Sequence, residues 1–596
     1  MKQGSQFGDA PRRPHHSLQM TRPRVWAPAP ERVELVTSEG RTAMARDDSA
    51  WWEAPVALAP GIDYGFSLDG GPVRPDPRSP WQPHGIDGPS RTVDHSEYEW
   101  SDAQWHGRPL AGSVVYELHV GAFTSAGTFE AAIGRLEHLV ELGVTTVELM
   151  PVAEFSGDRG WGYDGVGLYA PHHAYGGPDG LKHLVDACHA RGLAVMLDVV
   201  YNHLGPAGNY LREFGPYFTN RYSTPWGDAV NFDDAHSDEV RAFVIDNALM
   251  WLRDYHLDGL RIDAVHAIFD ASATHILEEL AQRVEELEGA VGRELVLVAE
   301  SDLNDPRIVT PREAGGYDID AQWSDDFHHA LHALLTGERA GYYSDFGRIE
   351  HVAKALENAY VYAGDYSSFR KRTHGRPAKG LSGNRFLGYL QNHDQVGNRA
   401  AGERSSALMS DDLLKVGAAL VLTSPFVPML FMGEEWGAST PFLYFTAHAD
   451  PDLGRAVSEG RRREFAAFGW KPEDVPDPQA EDSFERSRLR WDELEDQPHA
   501  DLLEWHRLLL RLRASTSELT DGHLDGVRTR YDETERWLVV ERGPIMIAAN
   551  LSHSPGRIPI EQRTSFDVLL SSGKVEVGGR LSLSPESVAI LRTGPS

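Results

Sequence analysis

The sequence predicts an α/β protein: a (β/α)8 TIM barrel with an N-terminal β-sandwich and a C-terminal β domain. Two patterns lead there. Between residues 111 and 516, short runs that are apolar on both faces alternate with segments of amphipathic helical spacing. That is how a parallel sheet covered by helices reads. On either side of this stretch, short alternating strands break at Gly and Pro, the pattern of small β-sandwiches. The expected division is a mobile tail over 1–19, a sandwich over 20–110, the barrel with long insertions over 111–516, and a second β domain over 517–596.

In the first β domain the strands are "RVWAPAP", "RVELVTS" and "IDYGFSLDGG", and "RPDPRSPWQPHGIDGPS" reads as an extended, Pro-rich surface connection. The grammar then changes. "SVVYELHV" is a strand, "TFEAAIGRLEHLVELG" a helix with a Gly stop, and "VTTVELM" a strand. "PDGLKHLVDACHARG" is a helix with Pro at its start and Gly at its end. "LAVMLDVV", "GLRID" and "ELVLVAE" are strands separated by the helices "SDEVRAFVIDNALMWLRDYH" and "ATHILEELAQRVEELEG". "RFLGYLQNHD" and "FVPMLFMG" are later strands, so that about eight βα units fit. A doubly wound open sheet is the competing topology, but no Gly-rich phosphate fingerprint follows any strand. "RWLVVERG", "PIMIAANLS" and "SVAILRTG" belong to the last domain.

The chain has 596 residues and a formal net charge of −32. So acidic a surface repels phosphate backbones and anionic membranes, which argues against nucleic-acid and membrane partners and for neutral substrates. The single cysteine, Cys188, lies in a helical pattern and reads as a buried, inert thiol. The first twenty residues contain no apolar secretory core, and no run approaches a membrane span, so the expected location is the cytoplasm.

The chemistry is expected at the C-terminal ends of the barrel strands. "GLRID" carries Arg261 and Asp263 two positions apart, on one face of a strand whose other face holds Leu260 and Ile262. In a barrel, Leu260 and Ile262 pack toward the helices and the charged pair points to the axis. A guanidinium beside Asp263 keeps it ionised, as a glycosyl nucleophile requires. Asp198, Asn202 and His203 follow "LAVMLDVV", Glu300 ends the apolar run Leu295–Ala299, and His393 and Asp394 end "GYLQNHD". An acid at the end of an apolar strand is placed for a raised pKa. Two carboxyls on adjacent strands suit the retaining double displacement.

These stretches resemble the four signature segments of the α-amylase superfamily of glycoside hydrolases, in order: "DVVYNH", "GLRIDAVH", "VAES" and "LQNHDQ". The resemblance implies Asp263 as nucleophile, Glu300 as general acid/base and Asp394 as transition-state stabiliser. It implies His203, Arg261 and His393 as residues that hold the sugar, and Tyr163 of "WGYD" as an aromatic platform. A finer resemblance runs through "ELMPVAEFSGDRGWGYDGVGLYAPHHAYGGPDGLKHLVDACHARGLAVMLDVVYNHLGPAGNYL" and "FMGEEWGASTPFLYFTAHAD". It is to the branch of that superfamily that frees trehalose from malto-oligosyltrehalose. This implies that substrate, no cofactor, and a pathway shared with a malto-oligosyltrehalose synthase. It also implies an amino-terminal module like the one in glycogen branching and debranching enzymes. A branching enzyme, which transfers the chain with the same three carboxylates, is the alternative; a non-catalytic glucan-binding protein is the alternative of another class. After Asp263 the residues are Ala264, Val265 and His266, where many amylases carry Lys-His.

Further candidates come from the loops. The stretch after the third strand carries Tyr210, Tyr217, Tyr222 and Trp226, of which Trp226 is taken as a cleft residue. Asp325 or Asp326, at the start of "SDDFHHALHALL", is expected to reach the substrate, while His328, His329 and His332 lack a carboxylate or Cys to complete a metal set. Asn202 is read as a structural hydrogen-bonder rather than a calcium ligand, and no metal is expected.

Overall fold

The computed structural model describes residues 20–467, 470–471, 474–560 and 565–594; the expected tail over 1–19 lies outside them. Eight parallel strands close into a barrel. They are β1 (Val115–Leu118), β2 (Thr146–Leu149), β3 (Ala194–Val199), β4 (Gly259–Ile262), β5 (Val296–Ala299), β6 (Ala321–Trp323), β7 (Phe386–Gly388) and β8 (Val427–Phe431), with β8 pairing back onto β1. In β4, Leu260 and Ile262 join the large core under the helices, and Arg261 and Asp263 face the axis side. A separate apolar cluster fills the axis below the rim, including Val115, Met196, Val298, Trp323, Tyr389 and Met429.

Helices follow most strands: Leu136–Leu142, Gly177–His189, Ser237–Asp254, Ile276–Val291, Asp325–Thr336, Asp411–Leu422 and His499–Ser515. Leu136–Leu142 stops where Gly143 takes the left-handed conformation at φ 101°, a C-terminal cap that Gly adopts without a Cβ clash. The fifth unit departs from the pattern. Between β5 and β6 the described chain makes only the 3-10 turns Pro306–Val309 and Arg312–Ala314. β6 itself has three residues, too short to carry a readable period.

Before the barrel stand two small antiparallel sheets, one built on Val33–Thr37 and Asp63–Leu68, the other on Arg24–Trp26 and Trp51–Glu53. The chain that follows them is tied to the barrel segment by Arg78, which donates to Asp246 at 2.8 Å and to the Tyr169 hydroxyl at 2.8 Å. The Pro-rich stretch after them is not the surface connection expected from its composition. Asp76, Ser79, Gln82 and Ser90 are buried in it, and Asp76 accepts the Tyr64 hydroxyl at 2.7 Å. Its polar side chains are consumed by its own turns and by the sheet and barrel on either side, which lets a polar sequence sit at a domain junction.

After the barrel, Val527–Asp532, Trp537–Arg542, Ile545–Asn550, Phe566–Ser571 and Ser587–Thr593 form a five-stranded sheet beside a three-stranded one. Along Trp537–Arg542, Val539 faces the small sheet's core while Leu538 and Val540 join the barrel's, the period-2 alternation of a sheet covered on both sides.

Candidate active site

The rim of the barrel gathers its charges around one guanidinium. Arg261, fully buried, donates from Nη1 to Asp198 Oδ2 at 2.7 Å and Asp263 Oδ1 at 2.9 Å, and its Nη2 stands 3.1 Å from Glu300 Oε2. Its Cζ lies 4.1 Å over the Trp323 ring. The strand registers explain the convergence. Asp198 on β3 is paired with Arg261 on β4, and Arg261 with Val298 on β5. Carboxyls at the ends of three neighbouring strands therefore meet one long cation.

Asp263 has a second holder. Asn202 Nδ2 donates to its Oδ2 at 2.7 Å and to its carbonyl at 2.9 Å, while Asn202 Oδ1 contacts His203 Nδ1. Both ends of the Asn202 amide are used within the protein. Burial works to raise Asp263, but Arg261, His203 and the Asn202 bond outweigh it and hold the carboxyl below its ordinary value. Glu300 moves the other way. Burial pushes it well above the carboxylate range, and Asp263, Asp394 and Asp325 add to the push against Arg261. Its Oε2 also accepts the Ala264 N–H at 2.7 Å. Ala264 makes that contact from a left-handed backbone at φ 41°, a strained conformation for a residue with a Cβ, of the kind that clusters at working sites.

Asp394 lies in the first turn of the short helix His393–Gly397 and accepts from Asn398 Nδ2 at 3.1 Å. The Tyr163 hydroxyl bridges Asp198 Oδ2, at 2.6 Å, and His393 Nε2, at 2.7 Å. His203 Nε2 reaches the Tyr163 carbonyl at 3.0 Å, and the half-exposed Trp226 stacks on the His203 ring at 4.2 Å. A cleft of about 740 Å³ opens here, lined by Tyr163, His203, Trp226, Asp263, Glu300 and Asp394. Arg261 and His393 are buried beneath it.

The two helix-start acids, Asp325 and Asp326, do not line the cleft. Asp326 accepts from Asn304 Nδ2 and from the backbone N–H groups of Val361 and Tyr362 at 2.8–2.9 Å, so its carboxylate is saturated by the protein and does not reach the cleft as expected. Asp325 accepts the Tyr389 hydroxyl at 2.5 Å, is not among the cleft-lining residues, and burial pushes it up to about 7. Among the loop aromatics, Tyr217 is buried against Trp26 at 5.3 Å, Tyr222 stacks on Phe269 at 5.2 Å and Tyr210 lies under Arg74. Only Trp226 of the four lines the cleft.

Three contributors were not anticipated. Glu117 on β1 and Glu148 on β2 are fully buried neighbours in register. Each is a charged residue type on the axis face of an apolar strand, as Arg261 is, which is a signal the sequence carries. Arg461, from the helix Pro451–Ala467, lines the far wall and donates to Asn398 Oδ1 at 2.9 Å; nothing in its local sequence marks it. Away from the cleft, Glu154, His172 and His173 bring three potential ligand atoms within 4.8 Å of one another. The Glu154–His173 hydrogen bond at 2.7 Å accounts for the closest pair.

Residues 96–224 match the family model of the alpha amylase catalytic domain, and residues 522–590 match a domain of unknown function (DUF3459). The chain is 49% identical over 576 residues to the malto-oligosyltrehalose trehalohydrolase of Mycobacterium tuberculosis (strain ATCC 25618 / H37Rv), covering 96% of this chain and 98% of that one. It is 50% identical over 575 residues to the same-named protein of Arthrobacter ramosus, covering 95% and 99%. A crystal structure described as a "putative alpha amylase" from Salmonella typhimurium superimposes with a TM-score of 0.89 at 40% identity, covering 97% and 98%. A 1,4-alpha-glucan branching enzyme of Corynebacterium jeikeium matches at 28% identity over 69% of the chain and 60% of its own length. With its closed barrel, its rim of carboxyls around Arg261 and full-length relatives at half identity, the chain belongs to the malto-oligosyltrehalose trehalohydrolase family of the α-amylase superfamily.

Proposed function

We propose that the chain is a retaining glycosidase that hydrolyses the α-1,4 bond next to the terminal trehalose of a malto-oligosyltrehalose and releases trehalose. The observation that carries the mechanism is the single guanidinium spanning Asp263 and Glu300. Asp263, held ionised, attacks the anomeric carbon and forms a glycosyl ester. Glu300, held protonated, gives its proton to the departing trehalose oxygen and then takes one from the water that hydrolyses the ester. Asp394, on the cleft wall, stabilises the positive charge that develops on the sugar. Tyr163, His203, Arg261 and His393 fix the sugar ring whose glycosidic bond is cleaved, and Trp226 offers an aromatic face at the cleft mouth.

The substrate follows from the family and not from the triad, since a branching enzyme uses the same carboxylates. A trehalosyl end must first be made by a malto-oligosyltrehalose synthase, the pathway partner of this reading, and both enzymes act on a soluble neutral glucan in the cytoplasm. Among the described residues no helix is long and apolar enough to cross a membrane. Proton NMR during early turnover of maltotriosyltrehalose tests the reaction. Free trehalose and a new reducing end that appears first as the α-anomer are expected; an initial β-anomer, or chain transfer without trehalose, contradicts it.

A further inference from the structure

His393 is one of the residues this reading places behind the cleaved sugar, and its imidazole is held from below by a group outside the signature segments. Glu117, on β1, accepts two hydrogen bonds from His393: Nδ1 lies 2.5 Å from Oε1, and the His393 main-chain N–H donates to Oε2 at 2.9 Å. Both residues are about 1% exposed. The second ring nitrogen, Nε2, faces the Tyr163 hydroxyl at 2.7 Å and stands 3.5 Å from Asp394 Oδ1. The rings of Tyr163, Trp161 and Trp323 enclose the imidazole, with centroids 5.1, 5.5 and 6.0 Å away.

We propose that Glu117 is a positioning residue for the hydrolysis: its carboxylate locks the His393 imidazole as a cation whose Nε2–H is turned to Tyr163, Asp394 and the cleaved sugar. A carboxylate with two oxygens is the side chain that can accept a ring N–H and a backbone N–H together. A bond between two charged partners in a buried site is short and strong. The other charged or titratable groups around His393 are Asp394 on its own helix, Tyr163 from the β2–β3 excursion, Arg261 on β4, Asp198 on β3, Glu148 on β2 and His119 beyond β1. Burial opposes the cation and Arg261 repels it, but Glu117 and Asp394 outweigh both and push His393 up to about 9. Glu148, beside Glu117, is pushed well above the carboxylate range by burial and by Glu117 itself. The sign is that of a group raised above its unfolded value: the cation is present at acid and neutral pH and lost as pH rises through about 9.

The proposal rests on the placement of His393 at the substrate. Its test is the pH profile of kcat/KM for maltotriosyltrehalose with Glu117→Gln, Glu117→Asp and His393→Gln, each beside its thermal midpoint. In Glu117→Gln an acceptor remains but the negative charge is gone, and the His393 proton should leave near the ordinary value of about 6.5. The alkaline limb should then move down toward about pH 6.5, by about two pH units where His393 sets it in the parent enzyme. Activity at pH 8 should fall at least about tenfold, mostly in kcat, and recover below about pH 6. Glu117→Asp should restore the alkaline limb even where its absolute rate is lower. An unchanged profile in Glu117→Gln overturns the proposal. So does a loss of the same size at every pH that tracks a lowered midpoint, because that is a packing defect. If His393→Gln itself keeps the parent kcat/KM, the site reading fails and this proposal with it; if His393→Gln is impaired while Glu117→Gln is not, only the role of Glu117 falls.

Discussion

The upper and lower halves of the barrel axis are built on the same strand faces and do opposite things. On β1, Val115 sits in the lower apolar cluster and Glu117, two residues on, bonds His393. On β3, Met196 sits in that cluster and Asp198, two residues on, bonds Arg261. One period of the strand, about 7 Å, separates a floor that excludes water from a rim that holds charges. The period decides which face a residue occupies; its height along the strand decides whether it packs or reacts. Burying carboxyls is costly unless they are paired, and here the cost is met by clustering them on Arg261 and His393 immediately above a dry floor. That floor also makes each electrostatic interaction at the rim stronger than it is in water.

The contrast can be broken at either level. Asp263→Asn should have the largest effect, lowering kcat by at least about 10³-fold, while Arg261 keeps its contacts with Asp198 and Glu300 and the fold survives. Initial rates beside circular dichroism read both; a near-parent rate would remove Asp263 from the role of nucleophile. Arg261→Met should act on stability and activity together. It strands buried carboxyls without their cation, a loss of roughly 3–5 kcal/mol, which denaturant unfolding measures. Met429→Ala, in the floor, should cost about 2–5 kcal/mol through its cavity but leave kcat in the folded fraction within a few-fold. A drop of kcat as large as that of a rim substitution would show that the two halves are not separable.

Much of this was legible in the sequence, for a physical reason. "GLRID" breaks an apolar run with two charges at period 2, and only an axis-facing pair near a rim reconciles that with burial. The same rule, applied to Glu117 in "VVYELHV" and Glu148 in "VTTVELM", marks the second tier of the site, where the flanking residues alone read as ordinary strand. β6 escaped because three residues carry no period. Asp326 was misplaced because a helix-start acid looks the same whether it faces a cleft or turns inward to Asn304 and the 361–362 backbone. Arg461 and Tyr444 reach the cleft from a distant insertion, and no local spacing announces a contact made by tertiary folding.

The substrate assignment is the central claim, and the triad alone does not carry it. Trehalose as a leaving group has no reducing end and presents a bent 1,1-linked disaccharide. A site shaped for it gains transition-state binding from the second ring, and a plain maltosyl unit there would leave polar groups unpaired at about 1–3 kcal/mol each. The direct test is kcat/KM for maltotriosyltrehalose against maltopentaose, which has the same number of rings. A preference for the trehalosyl substrate of about two orders of magnitude or more is predicted. Equal values, or a faster reaction with maltopentaose, would contradict trehalose release without bearing on the roles proposed for Asp263, Glu300 and Asp394.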